Sequence, residues 1–138
     1  MKIDFHSNVA DKLNYTCRLI RKAYNAGARL VVFDTNTSQL RQLDEALWTL
    51  TEAEFLPHVG MDHAHASLTP IIFSAGRLND CPHFDLLINL STSVPEHYQQ
   101  FGRMIEIVSQ EQAETLSGRE RYRHYQQQGH SLSHYPAK

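Results

Sequence analysis

The chain has 138 residues, a length typical of one domain, and carries 13 Lys and Arg residues against 15 Asp and Glu residues. A formal net charge of −2 disfavours a protein that binds nucleic acid directly over most of its surface. The last 22 residues hold four basic residues and one acidic residue, however. This local excess of positive charge indicates a localised anionic partner.

The two cysteines, Cys17 and Cys81, are too few for a disulfide framework, and no basic segment followed by an apolar run occurs at the N-terminus. No apolar stretch approaches the roughly 20 residues that a membrane-spanning helix requires. We therefore expect a cytoplasmic protein with reduced thiols and no membrane contact.

Hydrophobic periodicity predicts strands and helices that alternate along the chain. The predicted strands are residues 2–6, 29–34, 69–75, 85–91 and 104–109. A first helix carries Leu13, Cys17, Ile20 and Tyr24 at helical spacing, and a second carries Leu40, Leu43 and Leu47. Residues 55–60 are expected to form a turn. Residues 95–101 open with a proline at a first-turn position. Residues 111–128 are the last predicted helix.

Alternating strands and helices predict an α/β fold with a mostly parallel, twisted sheet that is covered by helices on both faces. We expect a single domain over residues 1–130 and a flexible C-terminal tail over residues 131–138. The phosphate-binding patterns G-x-G-x-x-G and G-x-x-x-x-G-K-[ST] are both absent. The sequence therefore predicts no functional nucleotide-binding loop.

A metal-dependent hydrolase is the main catalytic alternative. His58, Asp62, His63 and His65 lie within eight residues, and imidazole and carboxylate groups are zinc ligands. Their spacing matches no strong zinc signature, and a closed site would need a fourth ligand. The candidates for it are Cys81 and His83. Because no nucleophile elbow such as G-x-S-x-G occurs either, we expect no catalysis, metal or cofactor.

The basic segment RERYRHYQQQG begins at Arg119. On a helix, Arg119, Tyr122 and Arg123 share one face, with a ring between two guanidinium groups. One interpretation is a solvated surface, with Glu114 and Glu120 nearby and Tyr122 packed inward. The other is an anion-binding site, since like charges four residues apart destabilise an isolated helix.

This segment, together with LDEALW at residues 43–48 and the following FLPH, resembles the chi subunit of the bacterial DNA polymerase III holoenzyme. Similar patterns occur in GARLVVFD, FDLLINLS and RMIEIVS, so the resemblance covers nearly the whole chain. It implies an α/β domain without a nucleotide site and a non-catalytic accessory role in DNA replication. Chi subunits are adaptors that join the psi subunit of the clamp loader to single-stranded-DNA-binding protein, so contact with DNA would be indirect.

The resemblance implies a psi-binding surface that contains Trp48, Phe55 and Pro57. The pattern alone leaves a second interpretation open, in which Trp48 is a core residue, because it falls beside the stripe of Leu40, Leu43 and Leu47.

The resemblance also implies that Arg119, Tyr122 and Arg123 bind the acidic, phenylalanine-ending tail of single-stranded-DNA-binding protein. Some chi subunits carry a further basic residue one turn before Arg119, where this chain has Thr115. We therefore expect a lower affinity for the tail.

Overall fold

The structure is a computed structural model that describes residues 1–50, 58–60 and 69–137. Over these ranges it contains seven strands and three α-helices. The strands are β1 (Lys2–Val9), β2 (Leu30–Phe33), β3 (His58–Gly60), β4 (Ile71–Ser74), β5 (Leu86–Asn89), β6 (Arg103–Ser109) and β7 (Ser131–Pro136). The helices are α1 (Lys12–Asn25), α2 (Thr37–Leu50) and α3 (Gln112–Gln127).

The strands form one sheet in the order β3-β4-β2-β5-β6-β1-β7. Every strand pair in it is parallel, so the prediction of a mostly parallel α/β sheet is confirmed. The parallel pairing places the carboxyl ends of β1, β6 and β7 at the same edge of the sheet. The candidate site described below begins there.

The expectation of a flexible tail from residue 131 is wrong for residues 131–136, which form the edge strand β7. This strand pairs with β1 from Lys2 opposite Ser131 to Ser7 opposite Pro136. The pairing continues in a hydrogen bond from the Ala137 N–H to the Ser7 carbonyl at 2.8 Å. The segment has few large apolar residues because it lies at the edge, where its side chains are mostly exposed.

Two other local predictions differ from the structure. Residues 58–60 lie within the predicted turn but form β3, which pairs with β4 at the opposite edge of the sheet. The proline segment at residues 95–101 contributes only one turn of 3-10 helix, Tyr98–Gln100. Both elements are three residues long, which is too short for a periodic pattern to reveal.

The helices cover both faces of the sheet, as predicted. Helices α1 and α2 pack on one face, where Ile20, Leu43 and Leu47 are fully buried with the side chains of the central strands. Helix α3 packs on the other face, where Tyr125 is buried against Phe5. Alternation along β2 sends Leu30 and Val32 to the first apolar layer and Val31 and Phe33 to the second.

Local hydrogen bonds fix the limits of the first two helices. The Asp11 carboxylate accepts from the Asn14 N–H at 3.0 Å and caps α1, and the Asn36 side chain accepts from the Gln39 N–H at the start of α2. After α1 the chain turns at Gly27, whose φ of +88° favours glycine. None of the described helices has the length and apolarity of a membrane span.

Both cysteines are buried, and neither is in a disulfide. Burial raises the pKa of each thiol to about 11. The thiolate, which is the reactive form, is therefore scarce at neutral pH.

Candidate functional site

A groove of about 480 Å³ lies between α3 and the carboxyl ends of β1, β6 and β7. We call it the α3 groove. Its principal lining residues are Phe5, Val108, Thr115, Gly118, Arg119, Tyr122, Arg123 and His134. A volume of this size is within the range of about 300 to 1,000 Å³ that is usual for ligand sites.

Gly118 lines the groove at a point where α3 lies close to β6. A Cβ atom at this position would lie 3.0 Å from a methyl carbon of Val108. The missing side chain therefore lets the helix backbone pack directly on the strand.

The three residues predicted to bind the tail lie together along this groove. Arg119 and Arg123 are exposed, and Tyr122 is half-buried between them. The ring of Tyr122 packs edge-on against Phe5, with ring centroids 5.1 Å apart. The groove thus combines an aromatic floor with two cationic groups.

One of the two carboxylates near these arginines in the sequence, that of Glu114, is engaged elsewhere. Glu114 pairs with Lys12 at 2.9 Å, and the same oxygen accepts from the Ser109 N–H at 3.1 Å. Burial alone would raise the pKa of the Glu114 carboxyl, but the Lys12 ammonium and the Ser109 N–H together lower it. Neither Arg119 nor Arg123 forms an ion pair with any residue that the structure describes.

The third arginine of the segment has a different environment. Arg121 is only 4% exposed and points into the core, where its guanidinium meets the fully buried Glu106 carboxylate at 3.1 Å. Glu106 also accepts hydrogen bonds from the Tyr125 hydroxyl at 2.6 Å and the Asn89 amide at 2.9 Å. Arg121 donates a further bond to the Ser117 hydroxyl at 2.6 Å.

This network fixes how α3 is rotated on the sheet. Burial raises the pKa of Glu106, while Arg121 and the donated hydrogen bonds oppose that shift. Burial and the neighbouring Glu106 carboxylate raise the pKa of the Tyr125 hydroxyl, which therefore remains a donor. Because Arg121 and Tyr125 are held inward, Arg119, Tyr122 and Arg123 are directed toward the groove.

Sequence reasoning missed several members of the site. Phe5, Val108 and His134 lie on three different strands, and only the pairing of these strands brings them together beside α3. The buried pair had a detectable signal, because Glu106 interrupts an otherwise apolar strand. A carboxylate at such a position needs a buried donor or cation, and Arg121 supplies one.

The surface predicted to bind psi is described only in part. Trp48, near the end of α2, is 50% exposed, whereas the preceding Leu47 is 1% exposed. The interpretation of Trp48 as a core residue is therefore wrong. Phe55 and Pro57 lie outside the described residues.

The histidine cluster also lies largely outside the description. His63, His65 and the side chain of His58 are not among the described groups. Among the side chains that are described, no three His, Cys, Asp or Glu residues are placed to hold a metal ion. The suggested fourth ligands are both buried, and the His83 imidazole is hydrogen-bonded through Nε2 to the Thr69 carbonyl at 3.2 Å.

Comparison with known proteins identifies the family. The family model described as DNA polymerase III chi subunit, HolC, matches residues 1–133. The DNA polymerase III subunit chi of Pseudomonas aeruginosa is 30% identical over 95% of this chain and 93% of its own length. The same subunit of Haemophilus influenzae is 31% identical over 85% and 81% of the two chains, and that of Escherichia coli is 26% identical over 85% and 80%.

These matches support an accessory role in DNA replication and give no support to a metal-dependent hydrolase. The match extends through α3 and into β7, and therefore includes the whole groove-lining face of the helix. The chain belongs to the DNA polymerase III chi subunit family.

Proposed function

We propose that this chain is a non-catalytic adaptor of the DNA polymerase III holoenzyme in the cytoplasm. In this role it joins the psi subunit of the clamp loader to the C-terminal tail of single-stranded-DNA-binding protein. In this role the chain reaches DNA indirectly, through that tail, and no cofactor takes part. The observation that carries the proposal is the α3 groove, in which two exposed arginines that pair with no carboxylate of the described ranges border an aromatic floor.

The chemistry of the groove suits an acidic peptide that ends in phenylalanine. A guanidinium group can hold a terminal carboxylate through two parallel hydrogen bonds. The apolar side chain of the last residue would pack against Phe5 and Tyr122, and the aliphatic stems of Arg119 and Arg123 would extend this contact. Acidic residues upstream would interact with the positive charge at the rim. The half-buried Thr115 adds no charge there, which favours a lower affinity than in relatives with a basic residue at that position.

The test is a titration of a fluorescently labelled tail peptide against the wild type, Arg119→Ala and Arg123→Ala. A hydrogen bond to a charged group contributes about 1.5 to 3 kcal/mol, so each substitution should weaken binding roughly ten- to a hundredfold. Arg41→Ala is the matched control, because Arg41 is an exposed arginine on α2, outside the groove. Binding should also weaken with added salt. Equal affinities for all four proteins would contradict the proposal.

The psi-binding surface is proposed on α2 around Trp48, together with Phe55 and Pro57. An aromatic side chain that is half exposed beside a buried neighbour is a typical interface anchor. Because α2 and α3 cover opposite faces of the sheet, psi and the tail could bind at the same time.

A further inference from the structure

A second cavity of about 360 Å³ lies on the α1 side of the sheet. We call it the α1 cavity. The side chains of β1 and β7 alternate between the two sites, so that Phe5 and His134 line the α3 groove, whereas Asp4, His6 and Tyr135 line the α1 cavity. The same two strands therefore form a wall of both sites, from opposite faces.

A buried carboxylate with an unused acceptor lines this cavity. Asp4 is 2% exposed, and its Oδ2 accepts a hydrogen bond from the Arg103 guanidinium at 2.7 Å. Its Oδ1 is buried without a hydrogen-bond partner. Because an unsatisfied buried acceptor is costly, a donor group on a bound molecule would be stabilised at this position.

An aromatic surface stands beside the carboxylate. Tyr135 is 48% exposed, and its ring centroid lies 5.4 Å from that of His6. Burial lowers the pKa of His6, with Asp4 opposing the shift and Arg103 and Lys22 reinforcing it. The lowered pKa favours the neutral imidazole, and the two rings, inclined at 41° to each other, form an aromatic surface beside the carboxylate.

Positive charge completes the lining. Lys2 and Lys22 are exposed and line the cavity together with Arg103, whereas Asp4 is the one acidic residue among the lining groups. These cations come from β1, α1 and β6, and Tyr135 comes from β7. They are far apart in the sequence, so no linear pattern of basic and aromatic residues marks the site.

We propose that the α1 cavity binds one nucleotide, either free or as part of a single DNA strand. The phosphate contacts Lys2 and Lys22, the base stacks on Tyr135, and an amino group of the base donates to Asp4 Oδ1. This binding mode is independent of the tail-binding role proposed for the α3 groove.

The test measures binding of dCMP and of a labelled oligodeoxycytidine of about eight nucleotides, a typical single-strand site size. At low salt at least one probe should saturate the wild-type protein, and Lys22→Ala and Tyr135→Ala should each weaken that binding at least fivefold. Both replaced side chains are exposed, and thermal melts of the variants check that the fold is retained. A 3-methylthymine probe, whose base has neither an amino group nor an N–H donor, should bind at least fivefold more weakly than its cytosine counterpart.

Arg119→Ala is the control, because it alters the α3 groove and should leave nucleotide binding unchanged. Binding of the oligomer alone assigns the site to a single strand, whereas binding of dCMP alone assigns it to free nucleotides. The inference is overturned if neither probe binds up to about 1 mM. It is also overturned if Lys22→Ala and Tyr135→Ala bind like the wild type, or if Arg119→Ala abolishes the signal.

Discussion

Replacing Arg121 by methionine removes the cation from the buried network and leaves the Glu106 carboxylate without its charged partner. Glu106 is fully buried and Arg121 is 4% exposed, so solvent cannot take over the lost interaction. Removal of one partner from a buried ion pair costs about 3 to 5 kcal/mol. The free energy of unfolding of a small domain is about 5 to 15 kcal/mol. Arg121→Met should therefore remove a large part of the stability of this chain.

The assay is urea unfolding followed by circular dichroism, with four proteins compared. The double variant, Glu106→Gln with Arg121→Met, replaces the ion pair by neutral groups. It should recover at least half of the free energy of unfolding that Arg121→Met alone removes. Arg119→Ala is the control on the exposed face of the same helix, and it should change the free energy of unfolding by less than about 0.5 kcal/mol. A loss below about 1 kcal/mol for Arg121→Met would refute the role assigned to the network.

Three further predictions concern other parts of the chain. Trp48→Ala should weaken psi binding at least tenfold, or about 1.4 kcal/mol, with little change in melting temperature. The control is Leu116→Ala, which alters an equally exposed apolar residue and should leave psi binding unchanged. Glu114→Gln should destabilise the protein by about 1.5 kcal/mol at pH 7. The pKa of Glu114 is lower in the folded state than in the unfolded state. The stability difference between wild type and variant is therefore present above the unfolded-state pKa, and it should disappear as the pH falls through the folded-state pKa. Urea unfolding of both proteins between pH 7 and pH 3 measures this. Truncation after residue 130 should lower the free energy of unfolding by about 2 kcal/mol or more, since it removes the hydrogen bonds between β7 and β1 and the packed side chain of Leu132. An unchanged urea midpoint would show that β7 contributes nothing to stability.

The parts of the fold that the sequence predicted are those with a strong hydrophobic period. The stripe of Leu40, Leu43 and Leu47 predicted the buried face of α2 correctly, because apolar side chains at this spacing can be buried only on one side. Strand β7 was missed because an exposed edge strand needs backbone pairing rather than apolar side chains, and its sequence therefore resembles a loose tail.

The candidate site was predictable only where its residues share one helix. Arg119, Tyr122 and Arg123 follow from helical spacing, whereas the aromatic floor from Phe5 depends on how β1 pairs within the sheet. The spacing also could not show that Arg121, between two groove residues, points into the core. That orientation depends on Glu106, which is 15 residues away in the sequence.

The most direct test of the central claim is to map the tail peptide onto the chain by NMR. Backbone amide shifts are recorded for the wild type as unlabelled tail peptide is added. The changes should concentrate on α3 from Thr115 to Arg123 and on neighbouring residues of β1 and β7, including Phe5 and His134, and they should be strongly reduced in Arg123→Ala. Saturable shifts confined to α1 and α2, or no shifts at a peptide concentration of about 1 mM, would contradict the assignment of the α3 groove as the tail-binding site.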